Sequence, residues 1–174
     1  MNTSKIALAL AASLYGLCAF AQGGPTDPQI AGIVVTANSI DVQAGKLAKS
    51  RTKNKEVAKF AQQMITDHTA VNKQAGALAK KLHLKPADSD TSKSLKAGAA
   101  DNMKNLKGLK GAAFDKAYVD HEVAYHQAVL DAIDKVLIPN AQNAELKDLI
   151  VKVRPAIAAH LDHAKMVQAD LAKK

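Results

Sequence analysis

The side chains of this 174-residue chain with the means to do chemistry together are Asp41, Asp67, His68, Glu122, His126, His160 and His163. All lie on or beside otherwise apolar stripes that repeat at three and four residues. Glu122 and His126 are four apart and His160 and His163 three apart, so each pair projects from one helical face. Neutral imidazole and carboxylate oxygen are donors for zinc, copper, iron or manganese, and helical bundles build such sites from facing helices. The same residues also admit a purely structural reading. Buried histidines commonly hydrogen-bond to carboxylates or hydroxyls, and Asp41, Asp67, Tyr118 and Tyr125 are placed to satisfy His68, His126 and His160 without any ion.

Other candidates carry less. His83 reads as a solvated cation at a helix C-terminus, and His121 as an outward-facing neighbour of Asp120. Nucleophilic catalysis has little support. Ser39 has no histidine at a helical neighbour position, and no serine stands in a glycine-flanked elbow. Tyr118 and Tyr125 fall at core spacing and read first as packed aromatics.

Helices must position these groups. Asp27 followed by Pro28 predicts a helix start, and Ile30, Ile33, Val34, Ala37, Ile40, Ala44 and Leu47 mark its buried face through about Lys49. A second helix spans Asn54 to Leu82, about 43 Å at 1.5 Å per residue, with His68 on its apolar stripe. Pro86 and the Asp88-Ser-Asp-Thr-Ser92 cluster interrupt the pattern. A shorter helix through Leu95, Ala99, Met103 and Leu106 then reads as part of a long crossover, ending at Gly108 and Gly111. Phe114 to Ile138 forms the next long helix, stopped by Pro139-Asn140. Asn143 caps the last, which contains Pro155 and should kink there. The pattern predicts an all-α fold of four long helices, with no strand and no glycine-rich phosphate loop.

Residues 1–21 read as a cleaved secretory signal. Lys5 gives the basic start, Ile6 to Phe20 the apolar run, and Ala19-Phe20-Ala21 the small-x-small pattern before Gln22. The run is short for a bilayer span, and Leu17 is too bulky for lipid attachment at Cys18. The expected exported form, residues 22–174, is one domain without cysteine, which excludes disulfides and thiolate metal sites. No second long apolar segment follows, so a periplasmic protein is expected, with outer-membrane association as a variant.

Net charge is +8, yet aromatic residues make up only 3% of the chain, too few to supply stacking platforms for single-stranded nucleic acid. The lysines are spread over nearly every helix. They read as a solvated surface able to touch anionic lipid, and no nucleic-acid role is expected.

Several blocks together resemble a bacterial exported family known as domain of unknown function 4142, often labelled outer membrane protein. They are Val57-Ala-Lys-Phe60-Ala with Met64-Ile-Thr-Asp67-His68 and Asn72, Phe114-Asp115-Lys-Ala-Tyr118 with His126, and Arg154-Pro155-Ala-Ile-Ala-Ala-His160-Leu161. The resemblance covers about the whole exported chain and implies a ferritin-like four-helix bundle with a long crossover carrying a short extra helix. It implies no activity. Di-iron relatives of that fold use a Glu from each of two helices and Glu-x-x-His from the other two. Here the first helix offers Asp41, the second Asp67-His68, the next Glu122 and His126 with one residue too many between them, and the last His160 and His163. Such an imidazole-rich set suits a single zinc or copper ion better than di-iron. A non-catalytic envelope or stress protein with a structural polar cluster is the alternative, and a redox enzyme a more distant one.

Overall fold

The structure, a computed structural model, describes residues 23–173; the signal segment expected over residues 1–21, with Cys18, lies outside them. Among the described residues the regular structure is entirely helical. The elements are α1 (Asp27–Arg51), α2 (Lys55–Lys81), α3 (Asp90–Gly108), α4 (Gly111–Ala132), a π-helical turn (Ile133–Leu137), the short α5 (Ile138–Asn140) and α6 (Ala144–Leu171).

Local chemistry sets most boundaries. Asn54 caps α2, accepting from the Glu56 and Val57 amides, and Asn143 caps α6, accepting from Leu146 at 3.1 Å. At the start of α1 the cap is Thr26 rather than Asp27, and the Gln29 side chain accepts from the Thr26 amide at 3.0 Å. Asp27 has a longer-range task. Its two oxygens each accept a backbone amide 2.9 Å away, from Gln142 and Asn143, tying the start of α1 to the start of α6. Pro139 and Asn140 do not stop the third long helix at Ile138, because the π turn carries it on through Asn140. Helix α6 is continuous through Pro155. His83 closes α2 in the left-handed region, at φ 54°, while the Leu84 amide bonds back to Ala79.

Cross-helix contacts give the topology. His68 meets Asn38 while Gln62 meets Lys49, so α1 and α2 are antiparallel. Asp67 meets His160 and Lys81 meets Glu145, so α2 and α6 are antiparallel. Asp120 meets Gln168 and Asp134 meets Arg154, which runs α4 against α6. Tyr125 on α4 reaches the Ala37 carbonyl on α1. Helices α2 and α4 therefore point the same way, and the chain must return the height of the bundle between them. The 19 residues of α3, about 28 Å long, span most of that distance against the outside of α1.

The crossover is held where Ala87 donates to the Pro28 carbonyl at 2.9 Å. Gly32 makes that approach possible, since a Cβ there would lie 2.1 Å from the Ala87 carbonyl oxygen. Gly32→Ala is expected to cost about 1–3 kcal/mol through overpacking, seen as a lower denaturation midpoint with little change in helix content.

The core has two apolar halves. One gathers Phe60, Met64, Leu106, Phe114, Tyr118 and Val167, and the other Ile30, Ile33, Leu137, Leu146, Ile150 and Leu161. Between them, at mid-height, each of the four long helices contributes buried polar groups: Asn38 and Asp41, His68, Glu122 and His126, and His160.

Candidate metal centre

His68, His126 and His160 form the heart of this polar layer. Their ring centroids are 5.1 to 5.6 Å apart, and each is at most 2% exposed. Each ring uses one nitrogen on a neighbouring oxygen. His68 Nδ1 lies 2.8 Å from Asn38 Oδ1, His126 Nδ1 lies 3.0 Å from the Glu122 carbonyl, and His160 Nε2 lies 2.9 Å from Asp67 Oδ2.

These partners fix the tautomers. The Asn38 amide nitrogen already donates to the Val34 carbonyl at 2.7 Å, so Asn38 can offer His68 only its oxygen. A carbonyl and a carboxylate likewise only accept. The proton of each ring must then sit on the engaged nitrogen, and the opposite nitrogen of each, His68 Nε2, His126 Nε2 and His160 Nδ1, carries a bare lone pair. All three are buried and make no hydrogen bond. The three residues offer ligand atoms within 4.8 Å of one another. Three clustered imidazoles, each with a buried unpaired nitrogen, could hold a cation.

Burial keeps the rings neutral and therefore able to ligate. It drives His68 down to about 3 and His126 down to about 4, helped for His68 by the neighbouring histidines. His160 is also lowered by burial, against the opposing pull of Asp67.

A carboxyl pair stands behind the rings. Asp41 Oδ2 is 3.6 Å from His68 Nδ1 and Glu122 Oε2 is 3.4 Å from His126 Nδ1. The two carboxyl groups neighbour each other, and Tyr118 adjoins Glu122, yet neither Glu122 oxygen nor the Tyr118 hydroxyl makes a hydrogen bond of ordinary geometry. Burial lifts Glu122 to about 8, and burial together with the Glu122 charge raises Asp41 well above the usual carboxylate range. The pair is thus partly protonated at neutral pH. Asp41, Glu122 and His126 also fall within 4.8 Å of one another. The His126 nitrogen beside Glu122 is Nδ1, already engaged with the Glu122 carbonyl, so this grouping is a poorer ligand set than the three imidazoles.

The residues singled out in the sequence divide accordingly. His68, His126 and His160 converge, and Asp41, Glu122 and Asp67 surround them. His163 lies apart: its Nδ1 is 2.9 Å from Gln63 Oε1 and its ring packs edge-on against Phe60. Tyr125 satisfies no histidine, since its hydroxyl donates to the Ala37 carbonyl at 3.2 Å. His121 is half-buried against Tyr125 rather than facing outward, and burial lowers its pKa. Ser39 donates to the Val35 carbonyl. Asn38 is the residue that the sequence reading missed. Its place four residues after Val34 and three before Asp41, on the same buried stripe, was the available signal. Asn38→Leu should leave the His68 Nδ1 proton without its acceptor and, if the rings hold an ion, weaken its affinity about 10- to 100-fold, measured by competition with a chromophoric chelator.

A helical bundle with a buried layer of imidazole and carboxyl groups at mid-height is the class that fold and site define. The chain belongs to the family Domain of unknown function (DUF4142), whose model matches residues 17–167. No curated protein is significantly similar to the chain. The same is true of the solved structures. Among the described residues, no helix is long and apolar enough to cross a membrane.

Proposed function

We propose that this protein is an exported, ferritin-like helical bundle that binds one transition metal ion through His68 Nε2, His126 Nε2 and His160 Nδ1. The observation that carries the reading is the set of three bare nitrogens, each ring anchored from behind by an acceptor. Metal-ligating histidines are ordinarily held this way, with the second nitrogen donating to a carboxylate or carbonyl. A purely structural network would have paired those nitrogens, because buried polar atoms left without partners are costly. Three neutral imidazoles suit zinc or copper, and three protein ligands leave room for a further one. The ion would supply Lewis acidity or, if copper, electron transfer. Asn38, the Glu122 carbonyl and Asp67 orient the rings, while the Asp41–Glu122 pair can hold or release a proton beside them.

The antiparallel neighbours around the bundle, the parallel α2 and α4 and the long crossover support the ferritin-like assignment. Export rests on the signal pattern over residues 1–21. Contact with anionic envelope lipid is supported by a groove at the α1–α2 turn that carries Arg51, Lys53, Lys107 and Lys110, together with Asp115 and a Lys116–Asp120 ion pair.

The test is retention. Purified protein is incubated with zinc or copper, dialysed and assayed by elemental analysis; one equivalent is expected, falling to a trace in His126→Ala. Equal retention by protein and variant would overturn the proposal.

A further inference from the structure

Beside the three histidines lies a cavity of about 100 Å³ between α1, α2, α4 and α6, with α3 contributing Thr91 and Leu95 to its wall. Its lining is mostly aliphatic, including Ile33, Val71, Val129, Ile133, Ile150 and Ile157. The polar groups on its wall are few. Asn38 has both amide atoms engaged, with His68 and Val34, and the Tyr125 hydroxyl is spent on the Ala37 carbonyl. What remains is the Thr91 hydroxyl, His68, whose Nε2 has no partner, and Asp41. His68 and Asp41 also belong to the polar layer of the candidate metal centre, so cavity and site share a wall.

The backbone departs from regular helix on one side of this space and carries a proline within continuous helix on another. The π turn supplies Ile133 and Leu137, and Pro155 sits between Val153 and Ile157, which also line it. Such turns are less stable than regular helix and recur at functional sites. Proline in a helix interior removes a hydrogen bond. A space that close packing should have filled is thus bordered by the π turn and by the helix around Pro155, with His68 on its wall.

We propose that this cavity binds a small uncharged molecule of the size of a diatomic gas, and that such molecules are the substrate class of the metal site. Volume and chemistry together select that class. The space equals about three water molecules and opens partly to solvent, but its wall is mainly aliphatic and favours a small apolar guest; apolar cavities of this order accept xenon. An anion would meet aliphatic carbon and the Asp41 carboxyl. A drug-sized organic molecule needs several times the volume. The inference rests on the metal reading for its substrate role, whereas occupancy of the cavity is independent of it.

The experiment has two arms on the full chain. Xenon is titrated into the metal-free protein and followed by xenon NMR; saturable binding is expected, lost in the filling variant Ala132→Leu. Carbon monoxide is then added to the copper(I)-loaded protein and its stretching band followed by infrared; filling the cavity should slow CO uptake at least tenfold at unchanged copper content. Should Ala132→Leu fail to fold, Val71→Leu fills the opposite wall. Absence of saturable xenon binding, or CO uptake indifferent to filling, overturns the proposal. If copper is not retained, the metal reading and the substrate role fall together, while the xenon arm still reports whether the cavity takes a small apolar guest.

Discussion

Zinc or copper added to the metal-free protein is expected to raise its melting temperature by roughly 8–16 °C at free metal near a thousand times the dissociation constant. The magnitude follows from linkage. Binding to the folded state alone adds about 4.1 kcal/mol at that ratio. A domain of this length moves about 2–4 °C per kcal/mol. The gain should vanish in His126→Ala and His160→Ala, which each remove one converging nitrogen, and persist in His163→Ala, which removes a ring bonded to Gln63 instead. Scanning calorimetry with and without chelator decides it. A rise that survives His126→Ala would mean that metal binds elsewhere.

The metal-free protein should also show a stability maximum on the acid side of neutrality, between about pH 4.5 and 6.5. Glu122 is protonated up to about 8 in the fold but titrates near 4.5 when unfolded. Its contribution is fully present below 4.5 and is lost as pH rises through 8. Asp41, raised by burial, acts in the same direction. His68 and His126 act in the opposite one, since their folded values of about 3 and about 4 lie below the unfolded 6.5. Their contribution is fully present above 6.5 and is lost as pH falls toward 4 and 3. His160 and His121, also lowered by burial, add to the second trend, so across 4.5 to 6.5 it offsets the first and places the maximum toward the upper end of that window. From pH 6 to 8.5 the loss through Glu122 alone is about 3 kcal/mol, at about 1.4 kcal/mol per pH unit. Chemical denaturation in chelator across that range measures it, and Glu122→Gln should flatten the alkaline limb. A profile already flat from pH 6 to 8.5 would show that the carboxyl pair is not held protonated. Bound metal should flatten the same limb, because a nearby cation favours the ionised carboxyl.

Much of this was legible in the sequence because helices write their buried face at a period of 3.6 residues. Polar residues that interrupt such a stripe, His68 among Met64, Val71 and Ala75 or Glu122 and His126 after Tyr118, announce a buried polar layer before any coordinates exist. The family blocks were legible for the same reason, since they carry those interruptions. What stayed hidden depends on phase and partnership. His163 is three residues from His160, which turns it about 60° round the helix, enough to face Gln63 and Phe60 instead of His68. Asn38 looked like an ordinary polar residue, because nothing in the chain announces that its amide is locked by Val34 and turned toward His68. The π turn has no residue signature in Ile133–Leu137, a stretch that fits a regular helix equally well.

The placement of the three bare nitrogens on α2, α4 and α6 has a further consequence for a chain that has a single cysteine and so can form no disulfide within itself. An ion held there would be a cross-link. It would fasten three points far apart in sequence, at residues 68, 126 and 160, closing one loop that contains the whole crossover and a second that contains the π turn. Constraining the unfolded chain in this way is how disulfides are commonly held to stabilise small exported proteins. A metal knot has one property that a disulfide lacks: a chelator unties it without any redox chemistry.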